Sequence, residues 1–192
     1  WHSIPKGGRY IVSFRDPKAA LVSFYHFFEG WRWEAGTISL EEFVRSELAG
    51  LLYLTNRGPG SYWYHLVSWW EQRHNQNVRL LCYETMTGDL PGLMQDIASF
   101  IGLELDERAL ELVVRQTSLN FMLAHKMKFD ELLMRKYFEE IGYLQAAGAA
   151  AKLRNSHLEG HPAELPPAVS AELDAIWRDE VEARFGLSSY QA

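Results

Sequence analysis

A chain of 192 residues with one cysteine, Cys82, cannot hold an internal disulfide, and that scarcity points to a reducing, cytoplasmic setting. It contains no run of 18 apolar residues, so no membrane-spanning helix is expected. Basic side chains are outnumbered, with 19 Lys and Arg against 25 Asp and Glu. The net charge of −6 argues against a general nucleic-acid binder, which needs a basic face. The deficit still leaves room for a small polyanion, because a few arginines and a helix N-terminus can focus a positive field in one cleft. There is no low-complexity tract, no internal repeat and no signal peptide. The first residue is Trp1 rather than Met, which leads to the expectation that the chain starts inside a longer product.

What is present is the composition of an ordinary globular protein, 47% hydrophobic and 23% charged, and residues 1–192 are expected to form one domain. Aromatics reach 14% with seven Trp, enough for an apolar pocket, although core packing would also use such rings. Residues 9–14 (RYIVSF) form a β-branched and aromatic run that predicts a buried strand. Asp16-Pro17 follows as a helix-start pair, and Leu21, Phe24, Tyr25 and Phe28 then recur at helical spacing. Ser39 with Glu42 predicts a capping box before a helix to about Leu52. An aromatic helix is expected from about Ser61 to His74, and Val78–Cys82 reads as a second strand with Tyr83-Glu84 at its end. Further helices are expected at Leu90–Ile101, stopped by Gly102, at Asp106–Arg115 and at Ser118–His125. Residues 145–164 read as a mobile loop, and Pro166-Pro167 opens a last helix that Gly186 closes. Strands alternating with helices imply an α/β fold with a parallel sheet, and two strands are few enough to suggest that N-terminal strands are missing.

The chemistry concentrates at Arg15, on the end of the first strand, and Ser23, in the second turn of the helix after it. Ligands of open α/β sheets sit at the carboxyl ends of strands, and an arginine there offers a two-pronged fork to phosphate. The structural alternative is that Arg15 pairs with Asp16 or Glu29 and that Ser23 merely packs. His157 and His161 are four apart, as in a helical metal pair, but Gly160 and Pro162 argue for a loop, and no metal is expected. Trp63, Trp69 and Trp70 read as core, and Met94, Met122, Met127 and Met134 as gap-filling residues.

Four segments, in this order, resemble the cytosolic-type sulfotransferases. RDPKAALVSFYHF (15–27) is similar to that family's 3′-phosphate-binding segment. WWEQRHNQNVRLLCYETM (69–86) is similar to its paired-Trp helix, following strand and Tyr-Glu segment. RQTSLNFM (115–122) resembles its His-Thr-Ser stretch, and LRNSHLEGH (153–161) its late Arg-Lys-Gly loop. The resemblance implies a P-loop-like three-layer α/β fold and the cofactor 3′-phosphoadenosine 5′-phosphosulfate, which leaves as 3′-phosphoadenosine 5′-phosphate. It implies that Arg15 and Ser23 bind the 3′-phosphate, that Tyr83 and Thr117 line the adenine site, and that Arg154, Asn155 and Ser156 close over the phosphate.

The chain also departs from the pattern. Ser156 stands where the family usually has Gly, Leu119 replaces the Phe that stacks on adenine, and Ala19 takes the place of an acid. The family's Gly-rich 5′-phosphosulfate loop and its Lys-Thr-His base segment have no counterpart. His2 is the histidine nearest the place of the base. The implied reaction is sulfuryl transfer to a hydroxyl or amine of a small acceptor. Two other readings stay open, a P-loop small-molecule kinase and a non-catalytic or degenerate nucleotide-binding module. Possible partners are the missing N-terminal segment or a second copy of the chain.

Overall fold

The computed structural model describes residues 4–29, 33, 36–86, 88–129, 136–137, 139–142 and 162–190. They fall into two units, Trp1–Asp16 with Arg57–Phe121, and Pro17–Asn56 with Met122–Ala192.

The first unit is built on β1 (Tyr10–Phe14) and β2 (Val78–Cys82), paired in parallel with Tyr10 opposite Val78 and Phe14 opposite Cys82. Both runs are β-branched or large apolar residues, which suit a pleated surface. In β1 Val12 and Phe14 are buried while Ile11 and Ser13 face outward, as the two-residue period requires, and in β2 Val78 and Leu81 are buried. Helix α4 (Tyr62–Trp70) covers β1. Ser61 caps it by accepting the Tyr64 N–H at 3.0 Å, and Trp63, Leu66 and Val67 on its inner face are buried. Its ring contacts to the strand are Phe14 against His65 and Tyr10 against Trp69, each with centroids 5.6 Å apart. The helix expected to reach His74 ends at Trp70 and unwinds through turns at 71–74, where the Arg73 side chain bonds the Trp70 carbonyl.

A short helix α5 (Tyr83–Met86) leaves β2 directly. Then come α6 (Leu90–Ile101), capped by Asp89, and α7 (Glu107–Thr117), capped by Asp106. Arg79 of β2 ties to α6 through Asp96 at 2.8 Å and lies over the Phe100 ring. Gly102 ends α6 at φ 84°, a left-handed conformation that costs any residue with a Cβ. The Leu103 N–H reaches back to the Ala98 carbonyl and the Gly102 N–H to Ser99, the paired bonds of a Schellman cap.

In the second unit α1 (Pro17–Glu29) opens on proline, as expected, and buries Ala19, Leu21, Val22 and Tyr25. It packs against α2 (Leu40–Arg45) and against a C-terminal helix, Pro167–Trp177, whose Val169 and Leu173 are essentially inaccessible. Each such fully buried aliphatic contributes about 1.5–3 kcal/mol. Lys18 fixes α1 to that helix through Asp174 at 2.7 Å.

The Ser39–Glu42 capping box is present, but the helix expected to run to Leu52 breaks at Ser46. Ser46 turns extended, at ψ 157°, so that its hydroxyl can cap α3 (Glu47–Ala49), and a π-helical turn Gly50–Thr55 follows. Beyond Thr117 lie α8 (Leu119–Ala124), divided between the units, and a 3-10 turn Lys126–Lys128. The C-terminal helix passes into a π-helical segment, Arg178–Glu182, and the chain turns at Gly186 with φ 75°.

Of the loop expected at 145–164, residues 145–161 with the His157/His161 pair lie outside the described residues, and Pro162–Glu164 form a 3-10 turn. Among the described residues, no group of His, Cys, Asp and Glu is arranged to hold a metal, and no helix is long and apolar enough to cross a membrane.

Candidate functional site

Parallel register decides what meets at the strand ends. Phe14 pairs with Cys82, so the residues that leave the sheet next, Arg15 and Tyr83, emerge side by side at the carboxyl edge. The Arg15 guanidinium carbon lies 4.7 Å from the centroid of the Tyr83 ring, a cation–π contact that holds the arginine flat. Its Nε is buried and has no hydrogen-bond partner among the described residues. Nor does a described carboxylate pair with it. Glu29, one structural alternative, is instead bonded to His26 and to the Gly36 N–H. A buried donor left unmade costs about 1–3 kcal/mol. A half-buried guanidinium with an orphaned N–H at a strand end therefore fits an anionic group of a ligand.

The backbone at this corner is held as well. The Tyr62 hydroxyl donates to the Arg15 carbonyl at 2.6 Å, and the Asp16 N–H donates to Glu84 Oε1 at 3.0 Å. Tyr62 reaches the corner because Ser61 starts α4 just before it. Glu84 reaches it because α5 begins without a linker after β2, its first turn tied by the Thr85 hydroxyl on the Cys82 carbonyl at 2.8 Å. Neither residue carries a sequence signal that would have singled it out for this contact.

Of the expected site residues, Arg15 and Tyr83 are thus brought together. Thr117, in the same unit, ends α7 with its hydroxyl turned back on the Val113 carbonyl at 2.8 Å. Ser23 lies on α1 in the second unit, half-buried. His2, Arg154, Asn155 and Ser156 lie outside the described residues.

A family model described as a sulfotransferase domain matches residues 5–185. The chain belongs to the sulfotransferase family. Its curated relatives include an amine sulfotransferase of Oryctolagus cuniculus, 27% identical over 90% of this chain and 54% of the relative. Another is sulfotransferase 2A1 of Rattus norvegicus, 33% identical over 71% and 46%. The chain spans about half the length of the curated relatives it matches. Among solved structures, retinol dehydratase in a complex with retinol and PAP superposes with a TM-score of 0.63 at 20% identity, covering 91% of this chain and 48% of that one. That likeness supports the α/β sulfotransferase fold with its parallel sheet.

The second unit of this member of the family carries two features of its own. His26 lies between two carboxylates, with Nδ1 2.6 Å from Glu29 and Nε2 2.8 Å from Glu164. Burial works to lower the His26 pKa, but hydrogen bonds to Glu164 and Glu29 outweigh it and hold the pKa above the ordinary 6.5. Burial likewise pushes Glu29 up, and the bonds from His26 and Gly36 bring it below its usual range. The Tyr25 hydroxyl, buried beside Glu29, is pushed up to about 12 and donates to the Ile38 carbonyl at 2.8 Å. Nearby, Phe28, Trp33, Phe43 and Leu51 line a cavity of about 710 Å³ that has Glu42 and Glu47 among its walls.

Proposed function

We propose that the protein containing this chain transfers a sulfuryl group from 3′-phosphoadenosine 5′-phosphosulfate to a hydroxyl or amine of a small, largely apolar acceptor. One observation carries the reading: Arg15, seated on Tyr83 at the carboxyl end of the parallel pair, has a buried N–H with no partner among the described residues. An arginine so held supplies a preorganised fork for a phosphate. In this reading Arg15 and Ser23 grip the 3′-phosphate and Arg154, Asn155 and Ser156 close over it. Tyr83 and Thr117 flank the adenine.

The bound donor supplies the sulfuryl group and a phosphate leaving group. The part of these residues is to anchor the far end of the nucleotide, so that the reacting end is held in line with the acceptor. The family match runs through both units, which supports assigning them to the same sulfotransferase domain. The lone, unpaired Cys82 suits work in the cytoplasm. The cavity lined by Phe28, Trp33 and Phe43 lies within the size range of small-molecule sites and is offered as part of the acceptor's apolar surroundings.

The test is calorimetry with 3′-phosphoadenosine 5′-phosphate and with adenosine 5′-monophosphate. The 3′-phosphate should tighten binding by about 1.5–3 kcal/mol for each charge-assisted contact it gains. Equal affinities for the two nucleotides would refute the reading.

A further inference from the structure

We infer that Tyr62 and Glu84 are positioning residues for Arg15, setting its selectivity for a 3′-phosphate by pinning the peptide from which it projects. The inference rests on the nucleotide role proposed for Arg15. The Arg15 carbonyl and the Asp16 N–H belong to one planar peptide group. That group lies between two regular elements and in neither: the strand ladder stops at Phe14 opposite Cys82, and α1 begins at Pro17. Its polar atoms therefore need partners from elsewhere. Tyr62 supplies the donor at 2.6 Å and Glu84 the acceptor at 3.0 Å.

With both edges held, the peptide plane cannot swing, which fixes ψ of Arg15 and φ of Asp16. Pro17 adds to this by keeping Asp16 out of the helical region. Helix α5 thereby holds this corner twice, through the Tyr83 ring at the Arg15 guanidinium and through Glu84 at the Asp16 N–H. The side chain starts from a fixed point and rests on a fixed face. Losing either backbone bond frees the starting point while leaving every phosphate-contacting atom in place.

The experiment measures calorimetric affinities for 3′-phosphoadenosine 5′-phosphate and adenosine 5′-monophosphate. It uses the full chain with Tyr62→Phe, Glu84→Ala or Glu84→Gln, each with Arg15 present and with Arg15→Ala. Tyr62→Phe and Glu84→Ala should each weaken the 3′-phosphorylated nucleotide about three- to tenfold, the worth of one net hydrogen bond. Glu84→Gln keeps an acceptor oxygen and should restore most of the loss. Adenosine 5′-monophosphate should bind all forms alike, and with Arg15→Ala the Tyr62 and Glu84 effects should vanish.

Equal losses for both nucleotides, or losses that persist without Arg15, would mean a merely structural role and overturn the inference. Unchanged selectivity in Tyr62→Phe overturns it too, whatever becomes of the Glu84 variants. A wild-type chain that binds both nucleotides alike refutes the nucleotide reading itself, and the positioning role with it.

Discussion

Replacing His26 by glutamine should destabilise the protein most near pH 6 and least in mild alkali. Protonated His26 makes two charge-assisted bonds, to Glu29 at 2.6 Å and Glu164 at 2.8 Å, with side-chain exposures of 18%, 17% and 33%. Such bonds are worth about 1.5–3 kcal/mol each when dry, and partial exposure discounts the pair to about 2 kcal/mol in all. The sign follows from the direction of the shifts. The raised His26 pKa gives a contribution present in full below the ordinary value of 6.5 and lost as pH rises through the folded value. The lowered Glu29 pKa gives one present above the ordinary 4.5 and lost as pH falls through its folded value. Both operate together between those two ordinary values. For a chain of this length, 2 kcal/mol corresponds to about 4–8 °C in Tm. Thermal unfolding of wild type and His26→Gln at about pH 6 and about pH 8.5 is the assay. The Tm gap should shrink markedly at the higher pH. A gap that stays constant or widens would show that His26 acts by packing alone.

Arg15→Lys should retain the charge but lose the two-pronged fork and the flat seat on Tyr83, weakening 3′-phosphoadenosine 5′-phosphate by about tenfold in calorimetry. Gly102→Ala forces a Cβ into φ 84° with Arg9 Nη1 3.3 Å away, and should cost about 1–2 kcal/mol in urea unfolding.

Local signals survived the passage from sequence to structure because their physics is local. The Ser39–Glu42 box, the helix starts near Ser61 and Asp106 and the glycine stop at 102 each need only neighbours within a few residues. Ser46 was illegible by the same logic: FVRSELAG has helical composition throughout, and only the observed break reveals that the Ser46 hydroxyl serves as a cap rather than an interior residue. Arg15 stood out as an arginine at a strand end and Tyr83 through the family resemblance, and parallel register explains why two strand-end residues so far apart in sequence end as neighbours. Tyr62, Glu84 and Glu164 bond partners 47, 68 and 138 residues away, distances over which no periodicity carries information.

Cys82, the last residue of β2 and the immediate neighbour of Tyr83, is the chain's single thiol. A cysteine-directed fluorophore or spin label therefore has one address within these 192 residues, and that address adjoins the ring on which Arg15 rests. In this chain no cysteine need be removed before labelling and none introduced. The thiol is a ready attachment point for a spectroscopic reporter of whatever settles at the ends of β1 and β2.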